Sequence, residues 1–255
     1  MNKTYESLAE RALHILQSNG KHRIIIAIAG VPGSGKTTLA GKVSNILNRG
    51  SSFPICQVLP MDGFHLTRAQ LDQMSDPVEA HERRGAPFTF DADGLVQLVQ
   101  KLHNSTSEQN PQRTILAPSF DHKLKDPVYD DIAIQPHVRI ILLEGLYLLL
   151  NDEPWNQIAP ICDDRWYIEV DAEIARRRVA RRHWESGITS NLEDGLIRAD
   201  GNDAINGRHI AANLSNPDVF IQSIEECESG LLVDKHIFVD GLTSSNSTSV
   251  MTGVL

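Results

Sequence analysis

Apolar positions along this chain follow two alternating patterns. Short β-branched or aliphatic runs appear at IIIAIAG (24–30), ICQVLPM (55–61), TILAPSF (114–120), RIILLEG (139–145), WYIEV (166–170) and HIFVD (236–240). Most are separated by stretches whose apolar residues recur at helical spacing. Runs this continuous suit strands buried on both faces, so the pattern predicts an α/β architecture, a parallel sheet with helices on both faces. At the N-terminus Leu8, Ala12, Ile15 and Leu16 mark an amphipathic helix. A second helix is expected over TTLAGKVSNIL, and a basic one over AEIARRRVARRHWESG, with Ile174, Ala175 and Val179 on its apolar side. No internal repeat is visible. The Ser/Thr-rich end, 242–255, lacks a periodic pattern and is expected to be a flexible tail behind a single domain spanning 1–241.

In a parallel sheet, ligands collect beyond the carboxyl ends of the strands. Here those ends lead into Gly30–Thr38, Asp62-Gly63-Phe64-His65, Asp121-His122, Glu144-Gly145 and the arginine-rich helix after Asp171. The first of these, Gly30-Val31-Pro32-Gly33-Ser34-Gly35-Lys36-Thr37-Thr38, fits the P-loop pattern. Glycines let backbone N–H groups close around phosphate oxygens, where a Cβ would block the approach or forbid the dihedral angles. Lys36 neutralises the outer phosphates, Thr37 offers a hydroxyl to Mg²⁺, and the following helix points its positive end at the same anion. A nucleoside triphosphate is therefore the expected ligand.

Which P-loop chemistry follows depends on the other strand ends. The guanine-reading Asn-Lys-x-Asp and a transporter signature such as Leu-Ser-Gly-Gly-Gln are both absent. Glu144 closes a strand where a carboxylate would hold or orient the Mg²⁺ shell, the alternative being a cap on the next turn. Asp62, followed by glycine, is placed to take the proton of an attacking hydroxyl, the alternative being a turn aspartate bonded to its own backbone.

Composition narrows the setting. A net charge of −9 and a pI near 5.5 argue against a general nucleic-acid or membrane surface. Cys56, Cys162 and Cys227 share no metal or CxxC spacing, so reduced thiols are expected. The longest apolar run, IILLEGLYLLL, is interrupted by Glu144 and too short for a bilayer, and the N-terminus does not read as a signal peptide. A cytoplasmic protein is expected.

The ordered set GVPGSGKTT (30–38), MDGFH (61–65), RRGAPFTFD (83–91), PSFDH (118–122), EGLYLL (144–149) and an arginine helix ending at Arg181-Arg182-His183 resembles the phosphoribulokinase/uridine kinase/bacterial pantothenate kinase family. It is most similar to the branch of fungal uridine-kinase-like proteins and bacterial kinases named for fructose transport. The resemblance runs from about residue 20 to 240 and implies a kinase-type P-loop fold with a small helical lid over about 172–204. It further implies Mg-ATP as donor and a small molecule with a hydroxyl as acceptor. By position, Asp62 matches the catalytic base and works with Lys36. Arg178 and Arg182, one helical turn apart, match the lid arginines that reach the triphosphate. Thr37 and Glu144 fall at the metal.

Phe120-Asp121-His122 matches the acceptor segment, and Arg83-Arg84 with His65 complete a candidate acceptor set. Beyond Arg84, FTFDADGLVQLVQKL should enter a helix near Asp91. Arg198, Asn202, Asp203 and Asn206 resemble an element at the lid's return, and 213–217 a loop under the adenine. The pyrimidine-reading segment of uridine kinases is not found, nor are all the aromatic and asparagine positions of pantothenate kinases. A uridine-like nucleoside stands slightly ahead as acceptor, a sugar or sugar derivative close behind. A nucleotide-binding regulatory protein without transfer activity is the competing class, and a homodimer is a candidate assembly.

Overall fold

The structure, a computed structural model, describes residues 2–105 and 113–224. The elements run α1 (Asn2–Ser18), β1 (Ile24–Gly30), α2 (Lys36–Leu47), β2 (Cys56–Pro60), α3 (Arg68–Leu71), α4 (Pro77–Glu82) and α5 (Ala92–Asn104). They continue β3 (Ile115–Asp121), β4 (Asp126–Ile134), β5 (Ile140–Gly145), β6 (Asp164–Val170), α6 (Ala172–Glu185), α7 (Leu192–Arg198), α8 (Ala204–Ala212) and β7 (Val219–Ser223). Five strands form one parallel sheet in the order β2-β5-β1-β6-β7.

Every residue of β1 and β5 is buried. The two-residue period of a strand divides β1 between two cores. Ile24, Ile26 and Ile28 join Leu8, Ala12 and Leu16 of α1 and Leu39, Ala40 and Val43 of α2 on one face. Ile25, Ala27 and Ala29 join Leu95, Val99 and Leu102 of α5, with Tyr147 and Trp155, on the other. Both faces are thereby covered, which is what an apolar run without alternation requires. The helix after Asp91 forms as expected, its first turn capped by the Asp91 carboxylate accepting from the Gly94 N–H at 2.9 Å.

Two strand assignments change. TILAPSF, expected in the parallel sheet, pairs antiparallel with β4 in a separate two-stranded ribbon. The short connection between them permits only an antiparallel return, and Lys125 takes a left-handed φ of 55° in the turn. β4 escapes a sequence reading because DPVYDDIAI carries a proline and three aspartates, residues depleted in strands. The sheet's edge beside β6 is filled by β7, VFIQS, which the sequence pattern did not single out. The expected strand HIFVD, the tail and Cys227 lie outside the described residues. Cys56 and Cys162 are free thiols, and no helix among the described residues is long and apolar enough to cross a membrane.

Beyond β6 the chain builds the helical lid. Helices α6 and α7 pack against each other through Val179, Ala180 and Leu196, joined by Ala199 just beyond α7, in a small core of their own. Gly195 permits that approach, since a Cβ there would lie 2.6 Å from the Ala180 carbonyl oxygen.

Candidate functional site

Strand order places the site. Because β2, β5 and β1 are neighbours, the segments leaving their carboxyl ends converge, and the register sets Glu144 level with Ile28 on one side and Pro60 on the other. The P-loop leaves β1, and α2 begins at Lys36 with no side-chain cap on its first turn. Its leading N–H groups therefore have no capping side chain to bond. Gly33 and Gly35 hold φ of 78° and 97°, the left-handed region. At Gly33 a Cβ would also lie 2.5 Å from the Ala175 carbonyl oxygen, so the glycine lets the lid helix α6 rest on the loop.

Lys36 is buried, its ammonium donating to the carbonyls of Gly30 at 2.9 Å and Val31 at 3.1 Å. Burial lowers its pKa to about 8, with Glu144 and Asp62 acting to raise it and Arg182 to lower it further. Glu144 is 7% exposed and accepts from the Thr37 hydroxyl at 3.1 Å. Burial raises its pKa, opposed by Lys36. The next residue, Gly145, has no Cβ to meet Met61, so β5 closes against the turn 61–64 that carries Asp62. Gly63 likewise lets that turn pack on the Pro118 backbone. Asp62 acts electrostatically on both Lys36 and Glu144. Thr37 and Glu144 therefore offer a hydroxyl and a carboxylate side by side, a donor pair of the hard oxygen type that suits Mg²⁺ next to phosphate.

The expected acceptor set separates into parts. His65 stays beside Asp62, its Nδ1 2.8 Å from the Asp62 carbonyl oxygen. A carbonyl only accepts, so Nδ1 carries the proton, and burial lowers the ring's pKa. The ring lies between Phe90 and Phe120, at centroid distances of 4.0 and 4.9 Å. Arg84 donates to the Leu66 and Lys125 carbonyls and to Asp126 Oδ1 at 3.0 Å, and stands over Phe120 at 5.6 Å. Its Nε is buried without a partner.

Arg83 turns away to the lid, donating to Asn202 and Asn206. Asp121 holds the ribbon turn by accepting from the Lys123 and Leu124 N–H groups at 2.7 and 3.0 Å. Those bonds lower its pKa and account for the carboxylate without a ligand. His122 is exposed and touches Phe120 edge-on.

The lid arginines also divide. Arg178 is held by the Gly33 carbonyl at 3.3 Å, Ser223 Oγ at 2.8 Å and the Ile224 carbonyl at 2.9 Å. Arg182 acts electrostatically on Lys36 and Glu144 and has no ion pair or side-chain hydrogen bond among the described residues. The loop 213–217 is fastened by Ser215 to the Leu149 carbonyl. Sequence reasoning assigned no role to Tyr147 or Phe90. The spacing Glu144-Gly-Leu-Tyr147 was the available signal, since it carries Tyr147 from Glu144 to the Gly85 carbonyl, 2.6 Å from its hydroxyl.

Residues 25–228 match the Phosphoribulokinase / Uridine kinase family, and the chain belongs to that family. A Schizosaccharomyces pombe protein provisionally named a uridine kinase is 39% identical over 221 residues, covering 87% of this chain and 91% of that protein. Among solved structures, YFH7 of Saccharomyces cerevisiae, described provisionally as a P-loop-containing kinase with a circular permutation, superposes with a TM-score of 0.78 at 26% identity. The likeness covers 86% of this chain and 98% of that one. A Silicibacter sp. TM1040 protein provisionally described as a fructose transport system kinase gives 0.72 at 30% identity, covering 85% and 98%.

Proposed function

We propose that this chain transfers the γ-phosphoryl group of Mg-ATP to a hydroxyl of an uncharged, polyhydroxylated small molecule. The observation that carries the reading is the convergence of Lys36, Glu144 and Asp62 from three adjacent strand ends. Lys36 and the P-loop N–H groups would hold the β- and γ-phosphates, with Arg182 reaching them from the lid. Thr37 and Glu144 would hold Mg²⁺, which neutralises phosphate charge when bound. The acceptor oxygen forms the new P–O bond as the bond from the γ-phosphorus to the ADP oxygen breaks, and its proton passes to the Asp62 carboxylate. ADP and a phosphomonoester leave.

His65 favours an acceptor with more than one hydroxyl. With Nδ1 donating to the Asp62 carbonyl, a neutral ring keeps Nε2 as an acceptor for a second O–H near the one Asp62 deprotonates. The engagement of Arg83 and Arg84 with protein partners argues against an anionic acceptor. A nucleoside is the first choice, in keeping with the name of the fission-yeast relative. A sugar is the second, in keeping with the description of the bacterial structure.

The test is a product-detected screen of nucleosides, sugars, sugar phosphates and pantothenate with Mg-ATP, repeated on Asp62→Asn. That variant keeps the shape but accepts no proton, so kcat should fall by about two or more orders of magnitude with little change in ATP affinity. Product confined to sugars would remove the nucleoside choice. No product from any acceptor would favour a nucleotide-binding regulator instead.

A further inference from the structure

Asn202 and Asn206 meet the segment 83–85 through a reciprocal set of hydrogen bonds. Asn202 Nδ2 donates to the Arg84 carbonyl at 2.9 Å, while its Oδ1 accepts from Arg83 Nε at 2.8 Å. Asn206 Nδ2 donates to the Gly85 carbonyl at 3.1 Å, while its Oδ1 accepts from Arg83 Nη2 at 3.4 Å. Each amide therefore uses both ends, oxygen toward the guanidinium and nitrogen toward a carbonyl, and neither could be flipped without facing donor to donor. The Gly85 carbonyl takes a second bond from the Tyr147 hydroxyl at 2.6 Å. Gly85 adopts a φ of 101°, a conformation a residue with a side chain rarely enters.

The same asparagines sit where the lid meets the P-loop. Asn202 lies in the irregular turn 199–203, where Gly201 departs from helical dihedrals at φ −82°, ψ −113°. Asn206 is 3% exposed on α8, and its neighbour Gly207 faces the P-loop, a Cβ there lying 3.7 Å from Val31 and 3.9 Å from Pro32. On the other side, segment 83–85 holds Arg84, whose guanidinium donates to the Leu66 carbonyl, next in the chain after His65. The P-loop, α8 and the backbone beside the acceptor position are thus neighbours in turn, the first pair by proximity and the others through hydrogen bonds.

We infer that Asn202 and Asn206 are positioning residues that couple nucleotide binding at the P-loop to the order of the acceptor-side loop 83–90. Displacement of α8 by an occupied P-loop is passed to the Arg84 and Gly85 carbonyls through the two amides, and Arg84 carries it to the His65 neighbourhood. By linkage the coupling acts equally in the reverse direction. The inference rests on the P-loop being a nucleotide site and does not depend on which acceptor is phosphorylated.

Hydrogen exchange read by mass spectrometry on the full chain, with and without Mg²⁺ and the nonhydrolysable analogue AMP-PNP, tests it. In the unaltered protein the analogue should slow exchange in both 31–39 and 84–90. In Asn202→Ala and Asn206→Ala the protection of 31–39 should remain, while the nucleotide-induced protection of 84–90 falls by at least about fivefold. A purely structural role would raise exchange in 84–90 equally with and without nucleotide, and that result would overturn the inference. Indifference of 84–90 to AMP-PNP in the unaltered protein would overturn it as well. Absence of protection in 31–39 would instead sink the nucleotide reading, and the inference with it. Should the buried Asn206→Ala variant fail to fold, Asn202→Asp carries the same expectation, because it keeps the oxygen for Arg83 and loses the donor to the Arg84 carbonyl.

Discussion

Nucleotide affinity should be controlled by the protonation of Lys36. The buried ammonium has its pKa lowered to about 8 by desolvation, so in the ligand-free protein the side chain is about nine-tenths charged at pH 7 and about one-tenth charged at pH 9. A triphosphate placed on the loop would supply the counter-charge that burial denies and restore the proton. Binding is then accompanied by proton uptake, close to one half proton at pH 8, and affinity falls about tenfold from pH 7 to pH 9, or about 1.4 kcal/mol. Burial lowers the His65 pKa from its ordinary value, which leaves the ring neutral from pH 7 to pH 9, and burial raises that of Glu144. Cys56 and Cys162 are pushed up to about 12, above this window. Calorimetry of AMP-PNP with Mg²⁺ at pH 7, 8 and 9, in two buffers of different ionisation enthalpy, reads both quantities. In Lys36→Ala binding should be weak and its pH dependence gone. A flat affinity with no proton uptake in the unaltered protein, or the same slope in Lys36→Ala, would refute the reasoning. The ligand-free protein should also gain stability as pH rises from about 8 toward the ordinary lysine value, because there the unfolded chain holds a proton the folded one has lost.

Glu144→Gln should raise the Mg²⁺ concentration needed for half-maximal AMP-PNP binding while leaving metal-free binding nearly unchanged; equal Mg²⁺ dependence would place the metal elsewhere. Gly33→Ala forces a Cβ onto the Ala175 carbonyl at a φ of 78°, so it should lower the melting temperature and nearly abolish nucleotide binding, and normal binding would show that the loop relaxes without α6. Arg182→Ala should reduce kcat by about tenfold or more at unchanged thermal stability, whereas Arg178→Ala should lower the melting temperature by removing three bonds that tie α6 to Gly33, Ser223 and Ile224. The opposite pattern would exchange the two roles.

The sheet was legible where burial dictates composition. β1 and β5 are buried on both faces and accordingly read as unbroken apolar runs. The ribbon was misread for the converse reason. β3 carries enough apolar residues to look like a core strand, yet what decides its partner is the short turn that follows, and β4 is half solvated and rich in aspartate. β7 is an edge strand whose burial alternates, Val219 and Ile221 inward and Phe220 and Gln222 outward, so a five-residue stretch offers only two apolar contacts as a signal.

Within the site the same division follows from how each half is built. The half proposed to hold phosphate lies on one continuous strand, loop and helix, so its geometry is local and a spacing of glycines with Lys36 and Thr37 encodes it. The half proposed to take the acceptor is assembled from the turn after β2, segment 83–90, the ribbon and the lid's return. In such an assembly a residue's task depends on what the other segments have already taken. Arg83 and Arg84 are adjacent and chemically identical, yet one is consumed by two asparagines more than a hundred positions away and the other by the ribbon. Asp121 lies between Phe120 and His122, whose rings touch, and strand alternation directs its carboxylate to the opposite side, into the turn. Side-chain type alone therefore overstates the charge left free by protein partners. What remains close to Asp62 is an imidazole whose ring meets two phenyl rings, and the proposed selection by hydroxyl placement rests on that ring rather than on charge.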